Sequence, residues 1–198
     1  MGAGIGSTTR SLCSAEHASW TCIEPDSSLR AGFELEASRG PFACPVTLWP
    51  GTTDSLDERH HFDTVLYIDV IEHIEDDRAE LARAGGLLRR GGRIVVLAPA
   101  HSFLYSRFDE AIGHYRRYTA KALRSIFPSA MAVEHWEYLD SLGMGLSLAN
   151  RVLLRQSSPT ARQIRFWDRM IVPCSRVADA LSFRRLGKSV LVVARAPE

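Results

Sequence analysis

Cysteine is sparse and unpatterned in this chain. Cys13, Cys22, Cys44 and Cys174 form no C-x-x-C pair and no zinc-ligand spacing, so no metal is expected of them. Free thiols in a core, as in a reducing cytoplasm, are the expectation. Long apolar runs are missing as well. None approaches the ~20 residues needed to span a bilayer, so no integral membrane segment is expected. The N-terminus lacks a basic region followed by an apolar run, so no signal peptide is read there and the expected location is cytoplasmic. Internal repeats, low-complexity tracts and linkers are absent too, which leaves one domain over 1–198. Net charge is nearly absent at +1, but it is unevenly placed. Residues 1–150 hold 14 Lys+Arg against 20 Asp+Glu, and residues 151–198 hold 10 against 3. The basic end could meet an acidic substrate, a membrane surface or nucleic acid. Its arginines fall at helical intervals, which fits the solvated face of amphipathic helices.

What is present is an alternation of strand and helix. Trp20 to Glu24 is a short β-branched run closed by Pro25, and Pro45 to Trp49 is a second strand closed by Pro50-Gly51. Phe62 to Ile68 is nearly continuous in apolar residues, as a strand buried on both faces should be. Asp76 to Leu88 carries Leu81, Ala84, Leu87 and Leu88 at helical spacing, with Gly91-Gly92 as the stop before a strand over 93–98. Residues 101–118 are polar and aromatic without a period, the mark of a lid or acceptor loop. Thr119 is placed as the N-cap of a short helix ending near Phe127. Met131 to Tyr138 reads as a strand, and 141–182 as two further amphipathic helices. Ser141 to Arg155 carries Leu142, Leu146, Ala149, Val152 and Leu153 on one face, and Thr160 to Leu181 carries Ile164, Trp167, Ile171, Cys174, Val177, Ala178 and Leu181, with a kink or break at Pro173. Ser189 to Ala194 is a last buried strand. The pattern predicts an α/β, Rossmann-like and mostly parallel sheet with helices on both faces, whose ligands sit at the carboxyl ends of the strands.

Residues 2–6 read G-A-G-I-G. Glycines there permit positive φ and close approach of backbone N–H groups to a ligand at a helix start. A dinucleotide fingerprint wants a third glycine at position 7, where the chain has Ser7. Glu24 ends the next strand about 20 residues on, placed to accept hydrogen bonds from ribose hydroxyls.

G-x-G-x-G resembles the first motif of class I S-adenosylmethionine-dependent methyltransferases. Phe62-Asp63 opening a strand that ends YIDVIEHIEDD is similar to their fourth-strand motif, especially in enzymes of quinone-like and other small molecules. LLRRGGRIVVLAPA resembles their next signature, and GKSVLVVARAP looks like the end of the same fold, with the last strand antiparallel. The resemblance implies S-adenosylmethionine as cofactor and S-adenosylhomocysteine as product. It places Gly2, Ala3, Gly4, Gly6, Glu24, Pro25, Thr52, Thr53, Asp69 and Val70 around that cofactor. Two features depart from the pattern. Gly51 is followed by Thr52 and Thr53, where many relatives have an Asp for the adenine amine, and Asp54 is displaced by two. The glycine loop also arrives at residue 2 without the buried strand that should precede it. The expectation is therefore a chain lacking its first strand, with about 30–50 further residues upstream.

Methyl transfer from a sulfonium is an in-line displacement that gains much from orientation. A base near the acceptor helps O- or N-transfer, and His73, His101 and His114 are the candidates. FDEAIGHYRRYT resembles a lid motif, which would turn Asp109, Tyr115, Arg116, Arg117 and Tyr118 toward the acceptor. Paired arginines there could hold a carboxylate or phosphate. Alternatively, Asp109, His114 and Arg117 tie the lid to the domain. The expected function is methyl transfer to an O, N or C atom of a small-molecule metabolite, by a monomer or homodimer. Nucleic acid is not expected, because the Asn/Asp-Pro-Pro-aromatic motif is absent after the fourth strand. Two alternatives remain, a catalytically silent binding or scaffold protein of the same fold and an NAD-dependent dehydrogenase.

Overall fold

The computed structural model describes residues 1–56, 61–149, 169–170 and 172–198. They fall into two compact units, 1–61 and 62–198.

The first unit opens on the glycine turn and α1 (Ser7–Leu12), followed by β1 (Trp20–Glu24), α2 (Ser27–Ser38) and β2 (Val46–Pro50). β1 and β2 pair in parallel from Trp20 opposite Val46 to Glu24 opposite Pro50. Burial along β1 rises toward its carboxyl end, so Cys22, Ile23 and Glu24 are inside. Pro25 lacks an N–H and turns the chain out of the ladder. Asp26 then caps α2, its carboxylate accepting from the Ser28 and Leu29 N–H groups. The sequence reading sets no bounds for this helix, because only Phe33 of its twelve residues is buried. Cys13, Cys22 and Cys44 are buried with Phe33, as free thiols. Arg10 fastens α1 to the end of α2. It donates to the Glu36 carboxylate and to the Glu36, Gly40 and Pro41 carbonyls, and it lies over the Phe42 ring.

The second unit is a four-stranded sheet of β3 (Phe62–Ile68), β4 (Leu88–Pro99), β5 (Ala132–Leu139) and β6 (Ser189–Arg195), in the order β3-β4-β6-β5. β3 and β4 are parallel, while β6 runs antiparallel between β4 and β5. The expected α/β architecture with an antiparallel last strand is therefore observed. Its core alternates as a pleated strand requires: Val65 and Tyr67 from β3, Ile94, Val96 and Ala98 from β4, Val190, Val192 and Ala194 from β6. α3 (Asp77–Gly86) covers it with Leu81 and Ala84, and α5 (Ala120–Ser125) with Leu123. Thr119 caps α5 as expected, accepting from the Ala122 N–H. No helix among the described residues is long and apolar enough to cross a membrane.

Three local expectations need correction. α3 ends at Gly86, and Gly91-Gly92 lie inside β4, where the register against β3 shifts between Phe62 and Thr64. Gly91 has φ 68, and a Cβ on Gly92 would stand 2.9 Å from the Arg89 carbonyl oxygen, so the pair forms a tight bulge and not a helix stop. Residues 101–118 are not one irregular loop, since a 3-10 turn (Ser102–Leu104) and α4 (Arg107–Ala111) lie within it. Finally, α6 (Ser141–Ala149) and α7 (Val172–Leu181) form, but α7 turns the opposite way from its apolar stripe. Cys174, Val177 and Leu181 face solvent, the last two 63% and 77% exposed, while Ser175 and Asp179 are buried. Residues 150–168 and 171, and with them the expected apolar positions Val152, Leu153, Ile164, Trp167 and Ile171, lie outside the described residues.

Candidate functional site

In the first unit the glycine turn takes left-handed backbone angles at Gly2, Gly4 and Gly6. Gly6 and Gly4 serve different ends. A Cβ on Gly6 would meet the Phe33 ring at 2.9 Å, so glycine is needed there for packing as well as for its φ of 88. A Cβ on Gly4 would meet nothing within 4 Å, so that side of the turn is open. Glu24 holds the turn in place: its carboxylate accepts from the Gly4 N–H at 2.8 Å and from the Asp26 N–H at 3.0 Å. The Ala3 N–H donates to the Ile23 carbonyl, and Arg30 donates to the Glu24 and Pro25 carbonyls. After β2, Gly51 (φ 125) leads into a 3-10 turn over Thr53–Ser55, with Thr53 buried and Thr52 just before it.

In the second unit β3 ends at Ile68, and Asp69 follows with a positive φ of 52, its N–H donating to the Leu97 carbonyl. Desolvation raises the Asp69 carboxyl pKa, opposed by His114, Lys188 and His73, although the residue as a whole is exposed. Val70 leads into a 3-10 turn, Ile71–His73, which puts Glu72 inside and His73 outside. Glu72 is 0% exposed and neither carboxylate oxygen has a hydrogen-bond partner. Burial pushes its pKa up to about 8, with Asp69 and Asp109 adding to the rise and Arg117 opposing it. His114 Nε2 stands 3.6 Å from Glu72 Oε1. The His73 and His114 rings meet edge to face with centroids 4.5 Å apart. Desolvation of the ring and then the neighbouring His114 lower the His73 pKa.

Asp109 is the knot of the lid. It is 0% exposed and accepts from the Ser106 N–H and hydroxyl, from His114 Nδ1 at 2.9 Å, and from Arg117 Nε and Nη2 at 2.8 and 3.1 Å. Burial would raise this carboxyl, but the hydrogen bonds from Arg117, His114 and Ser106 prevail and its pKa is lowered. Arg116 reaches the other way, to Asp77 Oδ2 at 2.7 Å and the Glu75 carbonyl. Tyr118 is buried and donates to Asp77 Oδ2, while Tyr115 is 54% exposed and its N–H donates to the Glu72 carbonyl. His101 has φ 63 and its ring stacks on Phe103 and Tyr138. Desolvation lowers its pKa, and its described contacts do not include His73 or His114.

A protein-family profile for a methyltransferase domain matches residues 1–94. A ubiquinone biosynthesis O-methyltransferase of Bradyrhizobium sp. (strain ORS 278) is 34% identical over 74 residues, which span 37% of this chain and 28% of that enzyme. Among solved structures, an S-adenosylmethionine-dependent methyltransferase from Mesorhizobium loti superposes with a TM-score of 0.62. It is 17% identical, with 98% of this chain and 88% of that one covered. A Haemonchus contortus phosphoethanolamine N-methyltransferase 2 in complex with S-adenosyl-L-methionine gives a TM-score of 0.60. It is 16% identical over 100% of this chain and 47% of that one. The chain has a class I methyltransferase fold.

Within that methyltransferase fold the expected residues divide into groups. Gly2, Ala3, Gly4, Gly6, Glu24 and Pro25 are brought together at the carboxyl end of β1, joined by the hydrogen bonds just given. The Gly51 N–H donates to the Glu24 carbonyl at 3.5 Å, which sets Thr52 and Thr53 at the neighbouring strand end. In the second unit His73 and His114 meet, and His101 does not join them. Asp109 draws Ser106, His114 and Arg117 together within the 101–118 segment, while Arg116 reaches out of it to Asp77 and the Glu75 carbonyl. Tyr115 is the exposed member of the set. Sequence reasoning overlooked Glu72 and Asp77. The acid beside His73 was visible, but the burial that makes it unusual arises from the lid, 30 to 45 residues further on.

Proposed function

We propose that this chain is part of an S-adenosylmethionine-dependent methyltransferase that methylates an O, N or C atom of a small-molecule metabolite. The observation that carries this reading is the glycine turn. Its left-handed glycines are locked to the carboxyl end of β1 through Glu24, and its Gly4 face stays open. Such a turn fits an adenosyl cofactor. Gly2, Ala3, Gly4 and Gly6 supply backbone approach, Glu24 and Pro25 the ribose side, and Thr52 with Thr53 the adenine side. The bound cofactor supplies an electrophilic methyl group on sulfur. The chain's own contribution is orientation of the acceptor and exclusion of water, by the lid that Asp109 fastens. His73 and His114 are the proposed bases for an acceptor proton, with Tyr115, Arg116 and Arg117 on the acceptor side. His101 is a weaker third, since its ring is stacked between Phe103 and Tyr138.

Calorimetry tests the reading. S-adenosylhomocysteine should bind and NADH should not. Glu24→Ala should weaken that binding by about 1–3 kcal/mol, the scale of hydrogen bonds lost from a charged group. Binding of NADH alone would replace this reading with a dehydrogenase. Failure of both to bind would favour a silent binding protein of the same fold, and an unchanged affinity in Glu24→Ala would sink the cofactor placement.

A further inference from the structure

We propose that Glu72, His73 and His114 form a binding site for a divalent transition-metal cation of the zinc type. One carboxylate oxygen and one nitrogen from each ring all lie within 4.8 Å of one another. Ligands sharing a tetrahedral zinc ion, at bond lengths near 2.0–2.2 Å, stand about 3.4 Å apart. Glu72 Oε1 and His114 Nε2 are already at 3.6 Å. The exposed His73 ring supplies the third donor, within 4.8 Å of the other two.

The bonding pattern around the cluster argues for a cation. His114 Nδ1 is 2.9 Å from Asp109 Oδ1, so Nδ1 carries the proton and the Nε2 lone pair faces Glu72. A carboxylate–histidine pair of this kind orients and strengthens a metal-ligating imidazole. His73 is likewise steadied by a hydrogen bond to the Gly113 backbone. Opposite His114, Glu72 is fully buried with no hydrogen-bond partner for either oxygen. Two acceptors facing each other in a buried place need a proton or a cation between them, and a cation can take both lone pairs at once.

The Arg117 guanidinium is spent on Asp109 at 2.8 Å and does not hydrogen-bond Glu72. Two imidazoles and a carboxylate suit zinc and its first-row neighbours better than magnesium or calcium, which prefer all-oxygen shells. Three protein ligands leave a coordination position for an oxygen of a bound molecule.

A bound cation would take the lone pairs of His73 and His114, so the metal-bound form would not use these rings as acceptor bases, and the site does not rest on the methyl-transfer reading. Its test reads binding without turnover, so either can fail alone. The full chain without a polyhistidine tag is freed of metal by chelation and titrated with Co2+. The expected result is one equivalent bound, with the visible absorption of a four- or five-coordinate nitrogen and oxygen site, displaced by Zn2+. Glu72→Gln and His114→Ala should each weaken Co2+ binding tenfold or more. Glu72→Gln keeps the volume of the side chain and removes only its charge, and circular dichroism verifies its fold. The proposal is overturned if the unaltered chain shows no saturable Co2+ site, or if the absorption survives unchanged in both variants. The titration of the unaltered chain decides even where a variant does not fold.

Discussion

Single residues in this protein carry more than their types suggest, because burial changes what each can do. Glu24 is the plainest case. A strand-end acid expected to meet a ribose also satisfies the Gly4 and Asp26 N–H groups, and so builds the turn beside which a ligand would lie. The thiols show the same dependence on surroundings. Cys13 Sγ and Cys44 Sγ are 2.6 Å apart, and their hydrogen bond, with desolvation, pushes Cys44 up to about 11. Burial likewise raises Cys22. A raised thiol pKa leaves less of the reactive thiolate at neutral pH. Cys174 is exposed. Titration with a chromogenic disulfide reagent at pH 8 should therefore show Cys174 reacting fast and the buried thiols slowly, with their rates climbing as pH rises. Equal rates at all four positions would contradict the burial described.

At the scale of elements, α7 is the instructive one. Its sequence stripe of Cys174, Val177 and Leu181 satisfies a helical period, yet the buried side is the polar one. Asp179 accepts from the Asp140 and Ser141 N–H groups, and the Ser175 hydroxyl joins the Asp140 carboxylate to the Leu142 N–H. Those donors belong to the first turn of α6, where helices leave backbone N–H groups unpaired. The need to satisfy them outweighs the burial of three modest apolar side chains. Asp179→Ala should thus destabilise the protein by about 1–3 kcal/mol in urea denaturation, the cost of orphaned buried donors. Val177→Ser, on the exposed face, should stay within about 0.5 kcal/mol. The lid follows the same logic. Its length alone suggested an irregular loop, and Asp109 organises it by closing a capping box with Ser106.

The four-stranded sheet draws its core from β3 and β4, which are close in sequence, and from the distant β6, which is held on both edges. Ile94 of β4 is fully buried between β3 and β6. Ile94→Ala should cost about 2–5 kcal/mol in urea denaturation, whereas Leu35→Ala, at an exposed position of α2, should cost no more than about 0.5 kcal/mol. A similar loss at both positions would place the core elsewhere.

The amino-acid sequence by itself determined the periodicities, and therefore most element types. β1 and β3 lie where their β-branched and apolar runs put them, and Thr119 caps α5 because a short side-chain oxygen can reach the Ala122 N–H. It also determined the glycine turn, because positive φ is a local demand. The tertiary structure decided what depends on contacts distant in sequence. It assigned the Gly91-Gly92 pair to a bulge through a neighbouring strand and gave α7 its buried face through another helix. It also set Glu72, unremarkable in the sequence, against His114 from the lid. Periodicity is written in neighbours a few residues apart. Burial and charge pairing are settled only when the chain returns to the same place.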